Sequence, residues 1–339
     1  MVYVAIAVGG NRAPRVLSLP RSEKPQIECL AKTYTEVKMR KVPSRGKFIL
    51  TLISLLAVLI PISAHALFID LEDNLRLFYE DRGKGDPILF VHGWCGNSSI
   101  WTRFQFPYFV TDHRVLAIDL RGHGNSSKPL EGNNIPQLAR DVRKFIEVMG
   151  LNKVTLVGHS MGVMVVLDYY RQFGSDRLKA LVLEDMSPCP MSGESWNSGS
   201  FHDNNWDALR EFAIGLEQNR EVTHKAFLRK IWKDPPTEDA VDARYKMVSK
   251  TPVWIAVTLL YDFAPRDYRT LLPQIKVPTL ILVADSGLYP KGSMAGVYML
   301  NHIPESRLVV FRNSGHLLQI EEPDKFNQEL GQFLLSLPQ

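Results

Sequence analysis

The pentapeptide Gly158-His159-Ser160-Met161-Gly162 places a serine where its hydroxyl could act as a nucleophile. An apolar run over residues 153–157 precedes it, and a helix-compatible run over 163–173 follows. A serine between two spaced glycines recurs by chance, but the strand–turn–helix context makes the match specific. In such a turn the hydroxyl stands above the end of a sheet. Flanking backbone passes so close that small residues are needed on either side. The helix start behind the serine offers partial positive charge to a developing oxyanion. Ser160 is therefore the expected nucleophile, in preference to an incidental serine in a glycine-rich turn.

Such a turn needs a sheet beneath it, and the chain is patterned for one. Strand-like apolar runs occupy residues 68–79 (with Asp73-Asn74 as a hairpin-like turn), 87–91, 114–120, 153–157, 178–183, 279–283 and 307–311. Continuous runs of this kind between helices indicate a parallel sheet buried on both faces. Residues 135–149 predict a helix with Leu138, Val142, Phe145, Ile146 and Met149 on one face. Residues 323–335 predict a closing helix with Pro323 near its start. The alternation breaks over 187–266, which lacks β-type runs and holds Trp196, Trp206, Trp232 and Trp254, with Phe201, Phe227, Tyr261 and Phe263 nearby. This reads as a helical insertion whose inner face supplies an apolar pocket, because an insertion after a strand C-terminus lies beside the ligand crevice of an open sheet. The expected organisation is an extension over 1–66, a core in two parts over 67–186 and 267–339, and a cap over 187–266.

Four segments together carry a family resemblance: His92-Gly93-Trp94, Asp119-Leu120-Arg121-Gly122-His123-Gly124-Asn125-Ser126, the Ser160 turn, and Asn313-Ser314-Gly315-His316. In this order and spacing, over about residues 90–320, the chain resembles the lidded esterase/haloperoxidase-like group of the alpha/beta-hydrolase superfamily. The resemblance implies an α/β fold, a mostly parallel doubly wound sheet with a helical cap insertion. It implies that Ser160 is the nucleophile and that His316 is the base that later protonates the leaving group. Backbone N–H groups of Trp94 and Met161 would form the oxyanion hole. His92, His123, His159 and the 119–126 loop would organise loops rather than react.

The acid partner is a choice between positions. Many relatives carry it in a G-x-x-D pattern after the penultimate strand, but here the position three residues after Ala284 is Gly287. Asp285 falls early for that pattern. A second known arrangement puts the acid after the strand next to the nucleophile's, where Asp185 stands 25 residues beyond Ser160. Asp185 is favoured, Asp285 is the alternative, and Glu184 or a side chain elsewhere follows. Asp267 reads as a helix cap or surface charge.

The whole chain carries 40 Lys+Arg and 36 Asp+Glu, a net charge of +4. Residues 1–66 hold ten of the basic and three of the acidic residues, so the remainder is net −3. The basic stretch Met39-Arg40-Lys41 with Arg45 and Lys47, the uncharged apolar run 48–62 and Ala64-His65-Ala66 have the layout of a secretory signal peptide. The run is short of the roughly 20 residues a membrane span needs, so cleavage and export, periplasmic or extracellular, are expected. An uncleaved anchor is the alternative. Met39 also reads as a better start than Met1. Cys95 and Cys189 remain in the mature chain and are expected as free thiols, although an oxidising compartment permits pairing.

The expected activity is cofactor-free hydrolysis of small, moderately apolar carboxylic esters through an acyl-enzyme. C–C bond, lactone or perhydrolase-type chemistry on the same residues, or a ligand-binding protein retaining the fold, are the alternatives. Dehalogenases and epoxide hydrolases of this fold need aspartate at the turn, where Ser160 stands. Metal, nucleotide and nucleic-acid roles lack a ligand pair at useful spacing, a glycine-rich phosphate loop or a basic stripe.

Overall fold

The computed structural model describes the backbone of residues 2–6 and 15–19, and residues 66–72, 75–199, 201–285 and 288–338, the side chains of 66 and 72 excepted. The signal-type segment from Met39 to residue 65, the Asp73-Asn74 turn and the Ser286-Gly287 pair lie outside the described residues. The chain divides into two compact units, residues 1–63 and 64–339. In the first, β1 (Val2–Ile6) and β2 (Arg15–Leu19) pair antiparallel, Val2 opposite Leu19 and Ile6 opposite Arg15. The sequence shows no sustained period there, and strands of five residues are too short to impose one.

The second unit holds an eight-stranded sheet. In chain order it runs β3 (Ala66–Glu72), β4 (Leu75–Gly83), β5 (Pro87–Val91), α1 (Ser99–Thr102), α2 (Gln105–Phe109), β6 (Arg114–Ile118), α3 (Ile135–Val148), β7 (Val154–His159), α4 (Met161–Phe173) and β8 (Leu178–Glu184). There follow α5 (Trp206–Gln218), α6 (Arg220–Lys230), α7 (Glu238–Val248), α8 (Val253–Phe263), β9 (Thr279–Ala284), α9 (Gly292–His302), β10 (Ser306–Phe311), α10 (Leu318–Glu321) and α11 (Pro323–Ser336). Strand order is β10-β9-β8-β7-β5-β6-β4-β3. The six strands from β10 to β6 run parallel, and β4 and β3 extend the edge antiparallel. This is the expected mostly parallel, doubly wound sheet.

The pleat explains why every residue of β5 is apolar. Successive side chains point to opposite faces, and both faces are covered. Leu89 and Val91 join the cluster formed with Leu138, Val142 and Phe145 of α3 and Val163 and Leu167 of α4. Ile88 and Phe90 join Trp101, Phe106, Phe326 and Phe333 beneath α1, α2 and α11. Helix α3 starts where Asn134 accepts from the Gln137 N–H at 3.0 Å, with a proline in its first turn. Between β8 and β9 the described residues contain helices and no strand, with α5 packed on α6 and α8, and α6 on α7.

Candidate active site

The residues singled out in the sequence converge at the C-terminal ends of β5, β7 and β8. Ser160 links β7 directly to α4 with φ +56° and ψ −125°, a left-handed backbone that non-glycine residues rarely adopt. Its N–H donates to the Glu184 carbonyl at 2.9 Å, and its carbonyl accepts from the Val163 N–H at 2.8 Å. The turn is tight enough to exclude side chains beside it. A Cβ on Gly158 would stand 2.5 Å from the Gly162 carbonyl oxygen, and one on Gly162 would collide with the Val91 carbonyl. Among the described residues, neither the Trp94 nor the Met161 N–H has a backbone acceptor in the turns and caps. The Trp94 ring is fixed by its own bond, Nε1–H to the Ala256 carbonyl at 2.8 Å.

His316 and Asp185, 131 residues apart, meet with Nδ1 2.7 Å from Oδ2. Both are almost fully buried. Asp185 has φ +50°. Its N–H donates to the Leu282 carbonyl at 2.8 Å, and its Oδ1 accepts from the Ala284 N–H at 2.9 Å. The carboxylate is therefore gripped by the neighbouring strand while the other oxygen faces the imidazole. The His316 N–H donates to the Ile231 carbonyl at 2.6 Å, and His159 Nε2 lies 2.8 Å from the His316 carbonyl. Asp285 is elsewhere engaged: its Oδ1 accepts from the Ser293 N–H at 2.6 Å, in the first turn of α9. The structure thus brings Asp185, and not Asp285, to His316. Glu184 is buried, with both carboxyl oxygens lacking a hydrogen-bond partner among the described residues. Burial and the adjacent Asp185 charge push its pKa well above the ordinary glutamate value.

The other histidines hold loops. His92 accepts the Leu120 N–H on Nε2 at 3.0 Å and pairs Nδ1 with the Gly93 carbonyl at 2.8 Å, and burial lowers its pKa to about 4. His123 pairs Nδ1 with the Arg121 carbonyl, and its pKa falls to about 3 by burial and the nearby His92. Asp119 accepts the N–H groups of Ser98 and Asn125, each at 2.7 Å, which ties the 119–126 loop to the segment after β5. Asp267 forms an ion pair with Arg269. Cys95 and Cys189 are buried free thiols, and burial raises both pKa values.

A cavity of about 530 Å³ opens on Ser160 and Trp94, its walls mainly Phe201, Phe212, Phe227, Phe263, Leu288 and Tyr289. The inserted helices do supply an apolar inner face, but the tryptophans do not form it. Trp196 stacks on Tyr298 with centroids 4.2 Å apart, and Trp206 and Trp254 are exposed. Indole abundance marked the insertion without marking its pocket. Phe212, Met186 and Tyr289 were missed; only Phe212 left a trace, as an apolar position at helical spacing in α5. Among the described residues no group of three or more His, Cys, Asp or Glu side chains could hold a metal ion, and no helix is long and apolar enough to cross a membrane.

Comparison with known proteins follows the same outline. Residues 86–323 match the family model for the alpha/beta hydrolase fold. A non-heme chloroperoxidase of Kitasatospora aureofaciens is 28% identical over 277 residues, covering 77% of this chain and 97% of the relative. A bifunctional esterase/perhydrolase of Acinetobacter calcoaceticus is 25% identical over 286 residues, 79% of this chain and 99% of the relative. Among solved structures, an esterase from Exiguobacterium antarcticum superimposes with a TM-score of 0.74 at 26% identity, covering 80% of this chain and all of the other.

Proposed function

The chain belongs to the alpha/beta hydrolase fold family, and on that premise we propose that it is a serine esterase cleaving moderately apolar carboxylic esters through an acyl-enzyme. The observation that carries this reading is the 2.7 Å contact between His316 Nδ1 and Asp185 Oδ2 beside a serine held at φ +56°. Asp185 fixes the imidazole with its proton on Nδ1, which leaves Nε2 as the base. Ser160 Oγ attacks the ester carbonyl as His316 takes its proton. The N–H groups of Met161 and Trp94 stabilise the oxyanion. His316 then returns the proton to the leaving oxygen, and a water deprotonated by His316 releases the acid and restores Ser160. Every step draws on this chain's residues and water.

The apolar walls of the large cavity support an apolar acyl group. Export is part of the proposal and rests on the basic, apolar and Ala-His-Ala pieces between Met39 and Ala66. A second reading uses the same intermediate: hydrogen peroxide in place of water would give a peracid. It is favoured by the relative named as both esterase and perhydrolase. The test is labelling of Ser160 by a fluorophosphonate, read by mass spectrometry, together with acid release from ethyl esters of graded acyl length. Unlabelled Ser160 and no acid release would leave a ligand-binding protein on a retained fold.

A further inference from the structure

A second, smaller chamber of about 50 Å³ borders the same serine. Ser160, Trp94 and Phe227 border both spaces, but His316 borders only the small one, together with Gly93, Cys95 and Ile231. That difference assigns the two arms of an ester. The imidazole must reach the leaving oxygen to protonate it, so the alcohol arm belongs on the His316 side. The acyl arm then occupies the large apolar cavity.

The small chamber contains one permanently charged side chain, Arg244 of α7. The Trp232 ring lies 5.7 Å from the guanidinium carbon. No hydrogen bond or ion pair to the guanidinium is found among the described residues. Glu321, the nearby carboxylate, offsets part of the charge from a distance, while its oxygens accept the Lys233 N–H at 3.0 Å and the Gly315 N–H at 2.9 Å. Burial lowers the Arg244 pKa to about 10, so the group stays cationic at neutral pH. Its charge also reaches His159, next to the nucleophile, where it adds to the burial that lowers that imidazole's pKa. Arg244 is half-buried, and its guanidinium fork, with no fixed hydrogen-bond partner among the described residues, can take a carboxylate from a ligand. A planar fork of N–H donors matches a carboxylate.

We propose that Arg244 is a specificity residue for an ester whose alcohol is a short hydroxycarboxylate. The carboxylate of the leaving group pairs with the guanidinium. A chamber this small admits a group the size of a few water molecules, which suits a two- or three-carbon hydroxy acid and excludes a bulky alcohol. The reaction breaks the bond between the acyl carbon and the hydroxy-acid oxygen, that oxygen receives the proton from His316, and water completes the acid. This assignment rests on the esterase reading above.

The test compares two synthetic esters of equal size, the hexanoyl ester of glycolic acid and that of glycolamide, with hexanoate release measured for both. The intact protein should favour the glycolate ester in kcat/KM by on the order of tenfold to a hundredfold, the scale of a charge-assisted pair. Arg244→Gln should bring the ratio close to one while keeping glycolamide-ester turnover within about threefold, an uncharged contact being worth little. Lys230→Gln removes the exposed cation at the rim of the large cavity and should leave the preference intact. A ratio near one in the intact protein would overturn the assignment even if Arg244→Gln did not fold. So would a preference that survives in Arg244→Gln or disappears in Lys230→Gln. Loss of both turnovers with Ser160 unlabelled by fluorophosphonate would instead overturn the esterase reading.

Discussion

The strand ends and the helices above them are built on opposite principles. At the strand ends the backbone itself is held in rare conformations: Cys95, Ser160 and Asp185, after β5, β7 and β8, have φ of +55°, +56° and +50°. Ser160 and Asp185 are each held by bonds to the neighbouring strand. The helices α5 to α8 contain no such residue, and α6 and α7 are joined partly by a part-exposed ion pair, Lys225 with Asp242. Pairs of that kind contribute little stability. The strand ends therefore fix where a reacting atom sits, at a cost in strain the surrounding core offsets. The helices shape the space over it through side chains that can change without moving the chemistry.

That contrast can be broken most directly at Ser160. Ser160→Ala should lower kcat by a factor on the order of 10⁴ or more with the circular dichroism spectrum unchanged. Retained turnover in pure protein would remove the chemistry from the strand ends altogether. Next in size, Asp185→Asn should cost on the order of 10³- to 10⁴-fold in kcat, because the wrong imidazole tautomer is favoured. Asp285→Asn, just after β9, should stay within about threefold, since the amide oxygen can still accept the Ser293 N–H and the side chain does not meet His316. The reverse pattern would transfer the acid role to the β9 end.

Acid should then weaken both regions alike. Burial lowers His92 beneath the strand ends and His224 among the helices to a pKa of about 4 each. In the unfolded chain such groups take up protons below about pH 6.5, while the folded protein resists until about pH 4. Stability is full above that higher value and drains as pH falls between the two, by on the order of 3 kcal/mol per imidazole. Urea unfolding at pH 7 and pH 4.5 measures it, and equal midpoints would show that these histidines are not held neutral.

Smaller effects sharpen the distinction. Phe212→Ala should raise KM for a long acyl chain by about tenfold while leaving an acetyl ester and kcat within about threefold, because it removes only apolar contact. A fall in kcat for every ester would mean that the helices take part in positioning the reaction. The smallest change is expected from Glu184→Gln. The raised pKa of Glu184 means that its unfolded form ionises at a lower pH than its folded form. Native stability is therefore lost as pH rises through the ordinary glutamate range. The amide should stabilise the protein at pH 8 and not at pH 4, as read by thermal unfolding at the two values.

The sequence by itself determined the sheet and the nucleophile's turn, because both are written in short segments. Alternating apolar runs specify strands buried on two faces, and Gly158 and Gly162 report a backbone crossing too close for a side chain. The edge was legible as a run over 68–79 divided at Asp73-Asn74, and β3 and β4 stand on either side of that pair and run antiparallel. Only the tertiary structure decided which aspartate faces His316. Both candidates follow strands, and the outcome depends on β9 lying between β8 and β10, so that Asp185 is gripped by Ala284 and reaches the loop beyond β10. The cavity walls and the place of Arg244 beside His316 were hidden for the same reason. They arise where helices separated in sequence close over the strand ends, and no local pattern encodes which of their faces meet.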